Sequence, residues 1–309
     1  MGYHGYRSWL EVTGLISFDE YAHSVLKAYA LLKRYGVRFY TLPPIAREAV
    51  VPWPWILVNV FNVDVLATYI DRYREVGARI ESVILDAAVD KVWKKSIDKL
   101  PINRDYGDDY WNAFWNAIDY LKSLSREHGF AYEIVIPDYC DDYSRTWGRR
   151  HALWTEECCD YVTNIDRTLS NILQVVDSDR SIPWLIPAQG YEDVPESIFY
   201  SVEILKQLGL HKRFRIAIAN VCTSRAATII AETVRKAREA CRECSFHIFG
   251  PSLSGAKKLI QEKLLLPNDS WDSTAWTFPR TSHGWSCKNE HERILYFLLY
   301  MNHLEKALR

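Results

Sequence analysis

Strand-like apolar runs alternate with stretches of helical period along most of the chain. The runs fall at 37–42, stopped by Pro43-Pro44, at 55–61 directly after Pro54, at 82–85, 133–136, 182–187, 215–219 and 246–249, and in a short piece at 269–272. Several are apolar almost throughout, as strands covered on both faces should be. Between them, helical period spans 64–76, 110–128, 226–243, 254–263 and 290–308. A further helix is marked by Pro195 at its start and Gly209 just past its end. Strict β–α alternation predicts a parallel sheet, and eight units in 309 residues predict a closed (β/α)8 TIM-type barrel. The expected organisation is a single domain over 1–309 with a C-terminal helical extension from about 281 to 309. Two features leave the pattern short of proof. No clear helical period follows the first strand, and periodicity alone does not separate a barrel from an open sheet.

Four of these runs end on a side chain that can do chemistry. Leu85 leads into Asp86, Pro137 into Asp138, Ala188 into Gln189-Gly190, and Trp271 into Asp272. In a parallel barrel all strand carboxyl ends share one face, and active sites lie there. One Asp at such a place is more often a loop starter or a helix N-cap. Three Asp and a Gln-Gly in step make a shared pocket an equal contender.

Composition adds limits. The hydrophobic share of 48% and charged share of 25% are ordinary for a globular chain. The 12 Trp and 19 Tyr are numerous, and core filling explains most of them before base stacking is invoked. A net charge of −1 argues against a large non-specific DNA binder, whose footprint would be basic. Local basic groups remain at Arg145, Arg149, Arg150 and His151, and at Lys91, Lys94, Lys95 and Lys99; both could equally be solvated helix faces. The seven Cys are odd in number, no secretory core is visible, and no apolar run is long enough for a membrane span. A cytoplasmic protein with thiols free or metal-bound is the expectation. Cys241 and Cys244, a C-x-x-C pair with His247 nearby, fall at a helix end before a strand and read as structural. His283, Cys287 and His291 fall four apart, with His303 further on; zinc could be held there, though packing alone is the commoner role of such a segment.

The run FHIFGPSLSGAKKLIQEKLLLPNDSWDSTAWTFPR from Phe246 resembles the late-barrel segment of the tRNA-guanine transglycosylase superfamily. WLIPAQGYEDV resembles its strand ending in Gln-Gly, and VILDAAVD and VIPDYC stand where it has two strand-end Asp residues. The similarity covers about 82–280. Within the superfamily, IANVCTSR at 218–225, the acidic pair after Gln-Gly-Tyr, and Asp-Ser-x-Ala-Trp at 272–276 resemble the deazapurine DNA-modification branch. The chain also leaves little room after the barrel for RNA-binding domains. Two departures stand out: Ala87-Ala88 replaces a Gly-rich pair, and the family's Cys-x-Cys-x-x-Cys zinc motif is missing.

The resemblance implies a transferase that exchanges guanine in a nucleic acid for a 7-deazaguanine base, with DNA favoured over tRNA and accessory DNA-modification subunits as further partners. It implies Asp272 as the covalent nucleophile, Asp86 as the proton acceptor from the incoming base, and Asp138 and Gln189, with Gly190, Cys222 and Arg225, as base-binding groups. No organic cofactor is needed, and zinc would fall on Cys287, His283, His291 or His303. Three alternatives stay open: a tRNA enzyme, a catalytically inactive barrel that only binds nucleic acid, and a sugar-cleaving hydrolase using Asp86 and Asp272.

Overall fold

The computed structural model describes residues 18–46, 50–89, 106–139, 164–191, 194–222, 224, 226–274, 276 and 290–309, with the side chains of 18–22, 164 and 291 excepted. Eight strands make one sheet: β1 (Arg38–Tyr40), β2 (Trp55–Asn59), β3 (Ser82–Asp86), β4 (Ala131–Val135), β5 (Trp184–Ala188), β6 (Arg215–Ile218), β7 (Phe246–Ile248) and β8 (Ser270–Asp272). All neighbours pair in parallel, in the order β1-β8-β7-β6-β5-β4-β3-β2. The two ends of that order meet at a parallel bridge between Thr41 and Ile56. There Thr41 N–H donates to the Trp55 carbonyl (3.2 Å) and Leu57 N–H to the Thr41 carbonyl (3.1 Å). The sheet thus nearly closes on itself, and the fold is a (β/α)8 barrel. Each expected strand is present within two residues at either end.

Eight α-helices surround the strands among the described residues: α1 (Phe18–Tyr35), α2 (Val65–Glu75), α3 (Asp108–His128), α4 (Asn164–Ser178), α5 (Pro195–Gln207), α6 (Ala227–Ala240), α7 (Leu253–Gln261) and α8 (Glu290–Leu308). Local chemistry explains α3. Asp108 and Asp109 sit in its first turn and Arg126 and His128 in its last, matching the helix dipole. Gly129 then takes a left-handed conformation (φ 73°) and its N–H caps the Ser125 carbonyl at 2.8 Å. Between these ends Tyr110, Phe114, Ala117, Ile118, Leu121 and Leu124 form the buried stripe. Each fully buried large side chain of this kind contributes about 1.5–3 kcal/mol.

Three differences from the expected pattern have physical causes. The helix expected to reach residue 243 stops at Ala240, because Cys241 turns to extended backbone (φ −144°) and is joined to Cys244 by a disulfide. These two thiols are therefore neither free nor metal-bound, and the motif is structural, as its position implied. No helix lies between β1 and β2 among the described residues; Pro43, Pro44, Pro52 and Pro54 crowd that connection. The C-terminal helix α8 belongs to the outer helical layer, packed on α1 and α7. Asn302 Nδ2 donates to Ser24 Oγ (3.2 Å), Tyr35 donates to the Leu308 carbonyl (3.0 Å), and Tyr300 stacks on Phe39 of β1.

The barrel lumen is partly polar. Strands β1 and β3 are not neighbours, yet Tyr40 Oη and Ser82 Oγ lie 3.0 Å apart across it. Strands β4 and β6 are likewise separated by β5, and Arg215 Nε donates to Glu133 Oε1 at 2.9 Å. Toward the strand N-termini, Asp269 is closed off completely. It accepts from the Arg238 guanidinium and from the backbone N–H groups of Phe246 and Leu266, both at 2.7 Å.

Candidate active site

The four side chains singled out at strand ends all emerge at the carboxyl end of the barrel, from β3, β4, β5 and β8. Asp272 closes β8 and its side chain is 12% exposed. Both hydrogen bonds it accepts from described residues fall on Oδ1: His247 Nε2 at 3.0 Å and Gly250 N–H at 3.1 Å. Gly250 reaches this position with a left-handed backbone (φ 54°), and a Cβ there would lie 3.1 Å from that of Cys222. The left-handed backbone favours glycine there, and any Cβ would crowd Cys222. The same contact places Cys222, exposed and outside any disulfide, beside the donor that holds Asp272.

Asp138, just beyond β4, is nearly buried, and Gln189, just beyond β5, is fully so. Gln189 Nε2 donates to Asp138 Oδ2. The opposite amide orientation would set two acceptors face to face. One N–H of the Gln189 amide, expected as a base-binding group, is thus already engaged by Asp138. Gln189 Oε1 is buried without a hydrogen-bond partner, as is Asn220 Oδ1 just past β6. Each such acceptor costs roughly 1–3 kcal/mol until a donor arrives. Gly190 between them has a packing reason. A Cβ there would lie 2.6 Å from Ser197 Oγ and 2.8 Å from Asn220 Nδ2.

Asp86 ends β3 and is half-buried. Tyr110 ties it to Asp138: burial first, and then the carboxylates of Asp86 and Asp138, push its phenol well above the ordinary value. Its hydroxyl stays a donor, bonded to the Ala87 carbonyl at 2.8 Å. The Ala87-Ala88 pair carries no glycine but keeps glycine's geometry at its second residue. Ala88 holds a left-handed backbone (φ 56°), which is strained for a residue with a Cβ. Around this corner Tyr106, Tyr110, Trp111 and Tyr139 form an aromatic cluster, with Phe61, 47% exposed, edge-on to Tyr110. Tyr106 also donates to the Asp138 carbonyl.

Sequence reasoning placed none of His247, Ser270, Gly250, Tyr110 or Asn220 at the site; His247 was noted only beside the Cys241 and Cys244 pair, as part of a structural motif. His247 and Ser270 left a faint signal. A His interrupts the otherwise apolar β7, and Ser270 stands two residues before Asp272, which puts both on one face of β8.

Some expected residues fall elsewhere. Arg225, His283 and Cys287, the His291 side chain, and both basic groups (Lys91 to Lys99, Arg145 to His151) lie outside the described residues. His303 is exposed on α8, where burial, Lys257 and Lys306 hold its imidazole below the usual value. It stands twelve residues along α8 from His291, about 18 Å by helical rise. Among the described residues no cluster of three His, Cys, Asp or Glu is arranged to hold a metal. No described helix is long and apolar enough to cross a membrane. In comparisons with known proteins, no family model and no curated protein matches this chain.

Proposed function

We propose that the carboxyl face of the barrel is a base-exchange site that replaces guanine in a nucleic acid with a 7-deazaguanine, through a covalent intermediate on Asp272. DNA is the substrate that the sequence resemblance favours. The observation that supports the reading best is the division of labour among the strand ends. One carboxylate is held by a single oxygen, and a second is paired with an amide beside buried acceptors that lack donors.

In the first half-reaction Asp272 Oδ2 bonds to C1′ of the target nucleotide. The C1′–N9 bond breaks and its electron pair leaves with guanine, which takes up a proton from water. A carboxylate suits the oxocarbenium-like transition state because its charge opposes the cation developing at C1′. In the second half-reaction the incoming base loses its ring N–H proton to Asp86, its nitrogen bonds to C1′, and the C1′–Oδ2 bond breaks to regenerate the Asp272 carboxylate. Asp138 accepts from the N1–H and exocyclic amine of a guanine-type edge. The second N–H of Gln189 is left for O6. A base lacking those donors would strand buried acceptors, a loss of a few kcal/mol in selectivity.

The test is incorporation of labelled guanine, and separately of a labelled 7-deazaguanine, into DNA and into tRNA by the purified protein. Incorporation into DNA is the expected result. Incorporation into tRNA alone would replace the DNA reading with the tRNA one. Base release without incorporation, or no reaction with either nucleic acid, would overturn the proposal. Asp86→Asn should still form the covalent adduct and release guanine, then stall before the new base is joined.

A further inference from the structure

A continuous hydrogen-bond chain crosses the barrel lumen and ends on Asp272. Glu133 on β4 accepts from Arg215 Nε on β6 (2.9 Å), and Arg215 Nη1 reaches Ser270 Oγ on β8 (2.7 Å). Ser270 Oγ lies 2.7 Å from His247 Nδ1, and His247 Nε2 lies 3.0 Å from Asp272 Oδ1. His247 is completely buried.

The direction of the chain follows from its fixed end. A guanidinium has only donors, so Ser270 Oγ accepts from Arg215. Its own proton is then available to His247 Nδ1, which leaves the imidazole proton on Nε2, facing Asp272. The other neutral tautomer would set the Nε2 lone pair against a carboxylate oxygen 3.0 Å away. The doubly protonated ring would bury a full positive charge near Arg215. Burial, with Arg215 adding to it, holds the imidazole below its usual value even though Asp272 and Glu133 oppose that shift. Tyr40 packs edge-on against the ring, and the Tyr300 phenol from α8, which burial pushes above its ordinary value, lies within the field of Asp272.

We propose that His247 is a positioning residue for Asp272: locked by Glu133, Arg215 and Ser270 as the Nε2–H tautomer, it pins Oδ1 together with the Gly250 N–H and leaves Oδ2 as the attacking oxygen. Two neutral donors fix the plane of the carboxylate without cancelling its charge, as a lysine or arginine would. While Oδ2 is esterified to C1′, Oδ1 is a carbonyl oxygen. When the C1′–Oδ2 bond breaks, negative charge returns to the carboxylate and both donors stabilise it. The kinetic part of this inference rests on the base-exchange reading; the tautomer part does not.

The experiment therefore has two arms. In the first, long-range ¹H–¹⁵N spectra of histidine-labelled protein, assigned by difference against His247→Gln, report which ring nitrogen carries the proton. The expected result is protonation at Nε2, unchanged from about pH 5.5 to 8.5, across the range where an exposed histidine titrates. In Ser270→Ala the signal should become a mixture of tautomers. A proton on Nδ1, or titration near the ordinary value, would overturn the proposal whatever the enzyme does.

In the second arm, His247→Leu should lower kcat about 100-fold with KM for the nucleic acid within about threefold, because the donor orients the reacting group and does not bind substrate. His247→Gln places an amide N–H near the same point and should recover most of the activity, which a merely space-filling histidine would not require of its replacement. Wild-type kcat in His247→Leu would overturn the positioning role. If His247→Leu does not fold, Ser270→Ala and His247→Gln carry the kinetic test. A wild-type protein that exchanges no base would instead overturn the function proposed above, and the tautomer arm would still decide this one.

Discussion

Asp269 and Asp272 stand three residues apart, one just before β8 and one at its end, and their surroundings differ in kind. Asp269 is fully buried and meets a guanidinium and two backbone N–H groups. Its partner Arg238 also donates to the Cys244 carbonyl at 2.5 Å and lies over the Phe246 ring. Asp272 meets an imidazole and one N–H, both on the same oxygen. The N-terminal end of the barrel uses its carboxylate as a clamp between strand, helix and loop. The C-terminal end holds its carboxylate by one oxygen, which leaves the other for the chemistry proposed above. A barrel with stability at one face and reactivity at the other is what parallel strands with shared carboxyl ends permit.

The largest expected effect separates these two aspartates. Asp272→Asn should lower base exchange by three or more orders of magnitude on the order of a lost covalent nucleophile, with the urea midpoint of unfolding nearly unchanged. Asn is isosteric, can still accept from His247 and Gly250, and carries no charge to meet the cation at C1′. Asp269→Asn should do the reverse. It leaves Arg238, 11% exposed, without its counter-charge and should cost about 3 kcal/mol in urea unfolding. Exchange per folded molecule should be retained. If Asp269→Asn cost exchange as much as Asp272→Asn, the division between the two faces would be broken.

Most of the barrel was legible from the chain because buried parallel strands announce themselves as short apolar runs. The exceptions are instructive. Helix α1 buries a short stripe of Val25, Ala28 and Leu32, and the sequence reading passed over it. Helix α4 begins directly after a Cys- and charge-rich stretch that obscures its start. The strand-end residues Asp86, Asp138, Gln189 and Asp272 could be found because each interrupts an apolar run at its end. His247, Ser270, Arg215 and Glu133 could not be assembled the same way. Their link runs across the lumen between β4, β6, β7 and β8, and no spacing along the chain encodes a contact between strands that far apart in sequence. Asn220 was hidden for another reason: its orphaned oxygen becomes visible only once Gly190 is seen to pack against it.

A smaller effect is expected from pH. Burial lowers the His247 value in the folded protein, so between that lowered value and the ordinary one near 6.5 the unfolded chain binds the extra proton. The contribution is fully present above about 6.5 and is lost as pH falls through that window. Thermal unfolding of the wild type should therefore steepen in its pH dependence below about 6.5, and His247→Gln, which has no proton to bind, should remove that component. An unchanged slope in His247→Gln would assign the acid sensitivity to other groups.

The smallest effect concerns backbone strain beside Asp86. Ala87 and Ala88 are both fully buried, but only Ala88 has a left-handed backbone. Replacing either with glycine removes a buried methyl, worth roughly 0.8 kcal/mol, and loosens the unfolded chain by about 0.4–1 kcal/mol. At Ala87 nothing offsets these losses, so Ala87→Gly should destabilise by about 1–2 kcal/mol. At Ala88 glycine also relieves a conformation that costs an alanine about 1–2 kcal/mol, and the terms should nearly cancel. The difference between the two neighbours, measured by urea unfolding, isolates the strain because burial and chemistry are matched. Ala88→Val should lose more than either, since a β-branched residue tolerates positive φ least. Equal losses in the two glycine variants would mean that the strand end carries no strain, and that the corner holding Asp86 is no less relaxed than the clamp around Asp269.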